Sequence, residues 1–192
     1  MDLEEFWALI AVARVRGGED PEAVAEHLIA ELGKGPVKRI FAFEQLRRGL
    51  TWQAYDWLLW AAAYRIGGGC SDDAFIDFRA SLVLQGRETF ERALRDPDSL
   101  ADLPAVRAIP TGAGAADDDV LFFEPACYLA AEAYQRLHDG TGTDFEAALE
   151  AWPGAGSEQD LSQVSHPSGV VFDFDDNALM RERLPRLAAL LP

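Results

Sequence analysis

The residues whose types and spacing could do chemistry cluster between positions 67 and 79, a segment that we call the 67–79 corner. Three glycines precede its polar side chains, which are Cys70, Ser71, Asp72, Asp73, Asp77 and Arg79. Carboxylates accept hydrogen bonds from cations or bind Mg²⁺ and Ca²⁺ through oxygen, and a guanidinium orients an anion or a carbonyl. The corner is therefore the first candidate for a ligand site.

Two apolar stripes beside the corner predict the helices that position it. The stripes are Trp57, Trp60 and Tyr64, followed by Phe75, Phe78 and Leu82. Each stripe has the spacing of one helical face. We predict helices over 51–67 and 71–85 that form a helical hairpin, after an earlier helix that ends near Arg48. Trp60 and Tyr64 would then form the apolar wall of the corner.

Much of the corner has a structural explanation. Gly67 suits a left-handed helix end, and Ser71 can cap the next helix. Asp72 and Asp73 in the first turn complement the helix dipole. Two features remain: three glycines stand where one would suffice, and Asp73 and Asp77 place like charges one turn apart, which is unfavourable unless a cation lies between them.

Arg79 lies on or beside the apolar face of its predicted helix, because it follows Phe75 by four residues. A guanidinium buried there needs a partner, and Asp72 is one candidate. Nearby main-chain carbonyls are the alternative. In either case Arg79 would hold the hairpin together, so its presence alone does not distinguish a ligand site from a structural motif.

Three functional hypotheses follow. In the first, the chain is a binding or regulatory module in which Asp72, Asp73 and Asp77 accept hydrogen bonds, with Ser71 beside them and Arg79 as an orienting cation. In the second, it is an enzyme that uses the three aspartates directly or through a divalent metal. In the third, the corner is purely structural. The sequence assigns no catalytic residue, no cofactor and no metal.

Composition restricts the class of partner. The 192 residues carry a net charge of −16, and an acidic surface repels the phosphates of nucleic acids. A basic protein or a small polar ligand is the expected partner, although an acidic surface also serves solubility alone. The acidic start of the chain and its short apolar runs do not suggest a signal peptide or a membrane span. With two cysteines and no CxxC motif, we expect a cytoplasmic protein of unpredicted oligomeric state.

The domain prediction is a mainly α fold with little or no strand. Residues 1–102 should form a compact multi-helix domain that contains the corner. Residues 103–119 are rich in Ala, Gly, Pro and Asp and should form a linker or long loop. Residues 120–192 should form a helical C-terminal extension packed on the first part, in which Asp175 or Asp176 caps the last helical segment.

Several short motifs together resemble those of a family of uncharacterised bacterial proteins, the domain of unknown function 4240. They are Phe6-Trp7, Trp60, Ala62–Tyr64, Gly68–Asp73, Phe75, Phe78-Arg79, Gln85-Gly86, Phe90 and Pro97–Ala101. The resemblance covers about residues 1–102. Some relatives carry a similar domain beside a WGR domain, which has no counterpart here. The resemblance implies no activity, catalytic residue or cofactor, but it points to the same corner.

Overall fold

The computed structural model describes residues 1–110, 121–138, 144–153 and 166–192. Its α-helices are α1 (Leu3–Gly17), α2 (Pro21–Gly33), α3 (Val37–Gln53), α4 (Trp57–Gly67), α5 (Asp72–Leu84), α6 (Arg87–Arg95), α7 (Pro104–Arg107), α8 (Leu129–Leu137), α9 (Phe145–Glu150), α10 (Asn177–Arg183) and α11 (Pro185–Leu190). Two 3₁₀-helices are η1 (Pro97–Asp102) and η2 (Glu124–Cys127). Within these ranges every regular element is a helix, which confirms the predicted mainly α class.

Capping side chains start several of these helices where the sequence predicts them. Asp20 accepts from two main-chain amides at the start of α2, ahead of Pro21. Ser71 accepts from the amide of Ala74 and starts α5. Asp176 caps α10. Each cap satisfies amides that have no partner inside the helix, so local chemistry fixes where these elements begin.

The boundary between α3 and α4 differs from the prediction. Instead of ending near Arg48, α3 continues to Gln53, and the N-cap of α4 is Asp56 rather than Thr51. The Thr51 hydroxyl donates back to the Arg48 carbonyl at 2.9 Å, as threonines inside helices do, and is not free to cap. The buried side chain of Leu50 compensates for the helix propensity lost at Gly49.

Helix α5 lies at the centre of the core, with Phe75 and Phe78 fully buried. On one side it packs against η2, where the Ser81 hydroxyl accepts from the Phe123 amide at 2.9 Å and donates to the Phe123 carbonyl at 3.3 Å. Helix α8, which follows η2, packs against α2. The η2–α8 segment therefore joins the α5 side of the molecule to α2.

The C-terminal residues return to the first part of the chain. Buried Asp98 of η1 accepts from the amides of Arg186 and Leu187 and so caps α11. Residues 166–176, which we call the C-terminal strap, lie along α4. Ser168 exchanges main-chain hydrogen bonds with Tyr55 and Trp57, both at 2.9 Å. This extended pairing holds the strap in place beside the start of α4.

Candidate functional site

The backbone and packing of the corner explain why glycine occupies positions 67, 68 and 69. Gly68 and Gly69 have φ angles of 66° and 134°, which side-chain-bearing residues rarely adopt. A Cβ on Gly67 would lie 3.1 Å from the Phe122 ring. The Trp60 indole donates to the Cys70 carbonyl at 3.1 Å and closes the turn. The glycines thus fit the helix-to-helix turn without any ligand.

Arg79 is buried, with 9% of the residue exposed, and it makes no ion pair with Asp72. Its Nε donates to the Phe75 carbonyl at 3.2 Å and its Nη1 to the Thr51 carbonyl at 3.0 Å. The guanidinium carbon lies 4.6 Å from the centre of the Tyr55 ring and 5.0 Å from that of Phe75. Burial lowers the pKa of Arg79. The sequence offered Asp72 and main-chain carbonyls as alternative partners of Arg79. The prediction of carbonyl partners is confirmed, and the prediction of Asp72 is wrong.

Trp60 and Tyr64 face the C-terminal strap. Trp60 is stacked between Trp57 and Phe75, at ring-centre distances of 5.4 and 4.8 Å. Phe174 of the strap contacts the Trp60 and Tyr64 rings at 6.4 and 5.5 Å. The strap therefore packs on the surface that would have been the apolar wall of a corner site.

A hydrogen bond from Tyr64 to Asp175 fastens this strap, at 2.6 Å, and it raises the pKa of Tyr64. Because the folded-state pKa is raised, the contribution of this hydrogen bond to stability is complete below the unfolded pKa of about 10 and is lost as pH rises through the folded-state pKa.

We expect Tyr64→Phe to lower the free energy of unfolding by at most about 0.5 kcal/mol, since the pair is open to solvent. Urea melts should show this difference at pH 8 and lose it above the folded-state pKa; a difference that grows at alkaline pH would contradict it.

The aspartates of the corner lie on its solvent side. Asp72 and Asp73 are exposed in the first turn of α5, and Asp77 is half-buried. The Cys127 thiol of η2 donates to Asp77 at 3.6 Å. Burial raises the pKa of Asp77, and the negative charges of Glu124 and Asp73 raise it further, against the lowering effect of the thiol. Asp77 therefore connects the corner with η2.

Replacing Asp77 with asparagine should raise the free energy of unfolding by a few tenths of a kcal/mol at pH 7, because ionised Asp77 is partly desolvated and repelled by its neighbours. Its raised folded-state pKa means that Asp77 favours folding below the unfolded value, about 3.9, and loses that contribution as pH rises through the folded value. The gain in the variant should therefore shrink from pH 7 to pH 4 in urea melts. A lower midpoint at pH 7 would contradict this.

The two thiols are poor nucleophiles. Burial raises the pKa of Cys70 and of Cys127 to about 12, so both stay protonated at neutral pH. Within the described ranges, no group of three or more His, Cys, Asp or Glu side chains is placed to hold a metal ion. The carboxylates at this surface can accept hydrogen bonds from cations.

An acidic groove between α2 and the η2–α8 segment was not predicted. Its volume is about 480 Å³, and its lining is Glu22, Ala25, Glu26, Ile29, Phe123, Glu124, Pro125, Tyr128, Leu129, Glu132 and Arg136. The floor is apolar, and glutamates stand on both rims. Tyr128 is 58% exposed at the edge of this groove. The sequence shows the two walls of the groove only as separate charged helices, because α2 and α8 are about a hundred positions apart.

Among the described residues of this lining, the one cation is Arg136, and it is already paired within the chain. It makes a bidentate pair with Glu26, with both distances 2.8 Å, and a further bond to Glu132 at 2.8 Å. Among the described residues, no cationic group lies within 4.0 Å of the Glu22 or Glu124 carboxylates. The negative charge of Glu124 also raises the pKa of Asp77, and the hydrogen bond from Cys127 to Asp77 joins η2 to the corner. The acidic face is defined by Asp72, Asp73, Asp77, Glu22, Glu26, Glu124 and Glu132.

A second groove, of about 930 Å³, lies beside α1 and α3. Arg16, Lys38 and Arg39 contribute its cations, and Glu5 and Glu31 its carboxylates. Arg16 is paired with Glu31 at 2.8 Å. Because its charges are mixed and partly paired, this groove does not select one class of ligand.

A buried ion network lies on α3 and was also missed. Glu44, 2% exposed, accepts from Arg47 at 2.8 and 2.6 Å and from Arg48 at 2.7 Å. Arg48 reaches on to Glu146 of α9. Burial alone would lower the pKa of Arg47, but the hydrogen bonds and charge of Glu44 raise it. The network is fully paired, so it serves stability rather than binding.

The comparisons with known proteins concern the family and leave the activity unassigned. The model of a protein family of unknown function, DUF4240, matches residues 1–136. That range is longer than the 1–102 of the sequence motifs, and it includes η2 and most of α8. Neither the curated proteins nor the solved structures contain a match. None of the described helices is both long enough and apolar enough to cross a membrane. The chain belongs to the DUF4240 family.

Proposed function

We propose that this protein is a cytoplasmic binding or regulatory module whose acidic face recognises a basic protein partner. The observation that carries the proposal is the unequal pairing of charges on that face. Arg136, the one cation in the described lining of the groove, is held by two carboxylates, whereas Glu22, Glu124 and the corner aspartates have no cation within 4.0 Å among the described residues. A partner with lysines or arginines would supply the missing charge.

The corner contributes acceptors to this face and a rigid support beneath it. Asp72, Asp73 and Asp77 are the proposed acceptors, on a helix started by Ser71. In this proposal Arg79, Trp60 and Tyr64 support the corner and do not contact the partner, since their polar groups are bound within the chain. A rigid helix presents charges at fixed spacing and so lowers the entropic cost of binding.

The catalytic alternative finds less support. Aspartates that act as acid, base or metal ligand need to converge with another polar group in a closed pocket. The raised pKa of Asp77 is one feature that an acid or base would need, but its hydrogen-bond partner is a thiol whose pKa is about 12. A small polar ligand is a further alternative.

The test is selection of random peptides displayed on phage against the immobilised full chain. Enriched peptides should be rich in lysine and arginine, and synthetic copies should bind the combined variant D72N/D73N/D77N about tenfold more weakly at about 100 mM salt. The matched control E88Q/E150Q/E182Q removes three exposed charges outside the acidic face. Neutral or acidic peptides, or equal weakening by the control, would overturn the proposal.

A further inference from the structure

We infer that the acidic groove between α2 and the η2–α8 segment is the docking site of an amphipathic basic helix, whose apolar side chains enter the groove while its lysines or arginines meet the rims. This inference rests on the proposed function and names its partner class. It is carried by the shape of the groove, its apolar floor and its rim charges together.

The spacing of the lining residues gives the shape of the occupant. On α2 the lining positions are 22, 25, 26 and 29, and on the other wall they include 125, 128, 129, 132 and 136. Both series follow helical spacing over about two to three turns, so the groove runs for about 10 to 15 Å between α2 and the η2–α8 segment. A helix laid in such a channel presents side chains at i, i+3 or i+4, and i+7.

The floor supplies apolar contacts for those anchors. Ile29 and Leu129 are buried beneath the groove, and Tyr128 is largely exposed at its edge. A volume of about 480 Å³ accommodates several aliphatic side chains. Exposed tyrosine is the kind of residue that concentrates binding energy in protein interfaces, because it buries a large ring with little loss of side-chain entropy.

Charge selects among the possible occupants. The described part of the lining carries four glutamates and one arginine. A second copy of this chain, docked about a two-fold axis, would bring the same glutamates against each other, and the net charge of −16 would add to the repulsion. A basic helix instead places its cations beside Glu22 and Glu124, the two rim carboxylates that have no cation within 4.0 Å in the part of the chain that the structure describes.

The experiment uses three fluorescein-labelled peptides of about 14 residues, composed of lysine and leucine or serine. In the first, leucines form one helical face. In the second, the same lysines and leucines alternate along the peptide, as in an amphipathic strand. In the third, serines replace the leucines. At about 150 mM salt, fluorescence anisotropy should give the first peptide at least tenfold tighter binding than either of the others.

Groove variants localise the contact. Y128A and E22Q/E124Q should each weaken the first peptide about tenfold, and both should fold normally because these side chains are exposed. The controls are V15S, at an exposed apolar position of α1, and E88Q/E182Q, which removes two charges elsewhere. Tight binding that V15S reduces as much as Y128A would overturn the inference.

Other outcomes separate the groove from the acidic face as a whole. Equal binding of the leucine and serine peptides, weakened by D72N/D73N/D77N but not by Y128A, would overturn the groove as docking site and leave the proposed function standing. Binding that no variant of the face affects would overturn both. A dimer in sedimentation analysis that Y128A dissociates would identify a second copy as the occupant and also overturn the inference.

Discussion

Replacing Glu44 with glutamine is expected to lower the free energy of unfolding by about 3 kcal/mol, within the range of about 3 to 5 kcal/mol for breaking a buried ion pair. Glu44 is the only carboxylate within 4.0 Å of Arg47 among the described residues, and both residues are buried. Glutamine keeps the shape of the side chain but removes the charge that offsets the desolvation of two guanidinium groups. Urea unfolding at pH 7 measures the change.

Glu146 provides the matched control for this prediction. It binds the same Arg48, but its side chain is 55% exposed. Glu146→Gln should therefore cost no more than about 1 kcal/mol, as exposed ion pairs do. If the two substitutions have equal effects, Glu44 is not the centre of a buried network, and the assignment of these side chains to stability is wrong.

Arg79→Ala should lower the free energy of unfolding by about 2 to 4 kcal/mol, because a buried side chain is truncated, the Thr51 carbonyl at the end of α3 loses its donor, and two ring contacts disappear. Arg79→Met should cost less, since the methionine fills much of the volume. Asp72→Asn should change stability by no more than about 0.5 kcal/mol, because Asp72 is an exposed surface residue.

This comparison separates the carbonyl contacts of Arg79 from an ion pair. A large loss in both Asp72→Asn and Arg79→Met would indicate that Asp72 is the partner after all, because either substitution would leave one charge of a pair without its partner. Chemical denaturation of the three variants, followed by tryptophan fluorescence, supplies the numbers. Trp60 is a suitable reporter, since it lies beside the corner and stacks on Phe75.

The sequence predicts well what depends on neighbouring residues. The apolar stripes predict the α4–α5 hairpin, and the caps Ser71 and Asp176 depend on amides two or three positions away. The sequence predicts poorly those helix ends and buried side chains that depend on contacts with distant segments. Helix α3 extends beyond its predicted end near Arg48, because Leu50 is buried by the fold. Glu44 is buried beside Arg47 and Arg48, and Arg48 also binds Glu146 of the distant helix α9.

The candidate site divides in the same way. The corner and its aspartates could be found from spacing alone, because they lie within thirteen positions. The groove could not, because Glu22 and Glu132 belong to helices separated by most of the chain, and each helix by itself shows only an ordinary charged face. The covering of Trp60 and Tyr64 by the strap depends likewise on contacts with residues more than a hundred positions away.

The most direct test of the central claim is an NMR titration of the ¹⁵N-labelled full chain with the leucine-faced lysine peptide. The account predicts that amide shifts concentrate on the first turns of α5, on η2 and the start of α8, and on α2 from Glu22 to Ile29. Shifts spread evenly over the acidic surface, or centred on the groove beside α1 and α3, would contradict it.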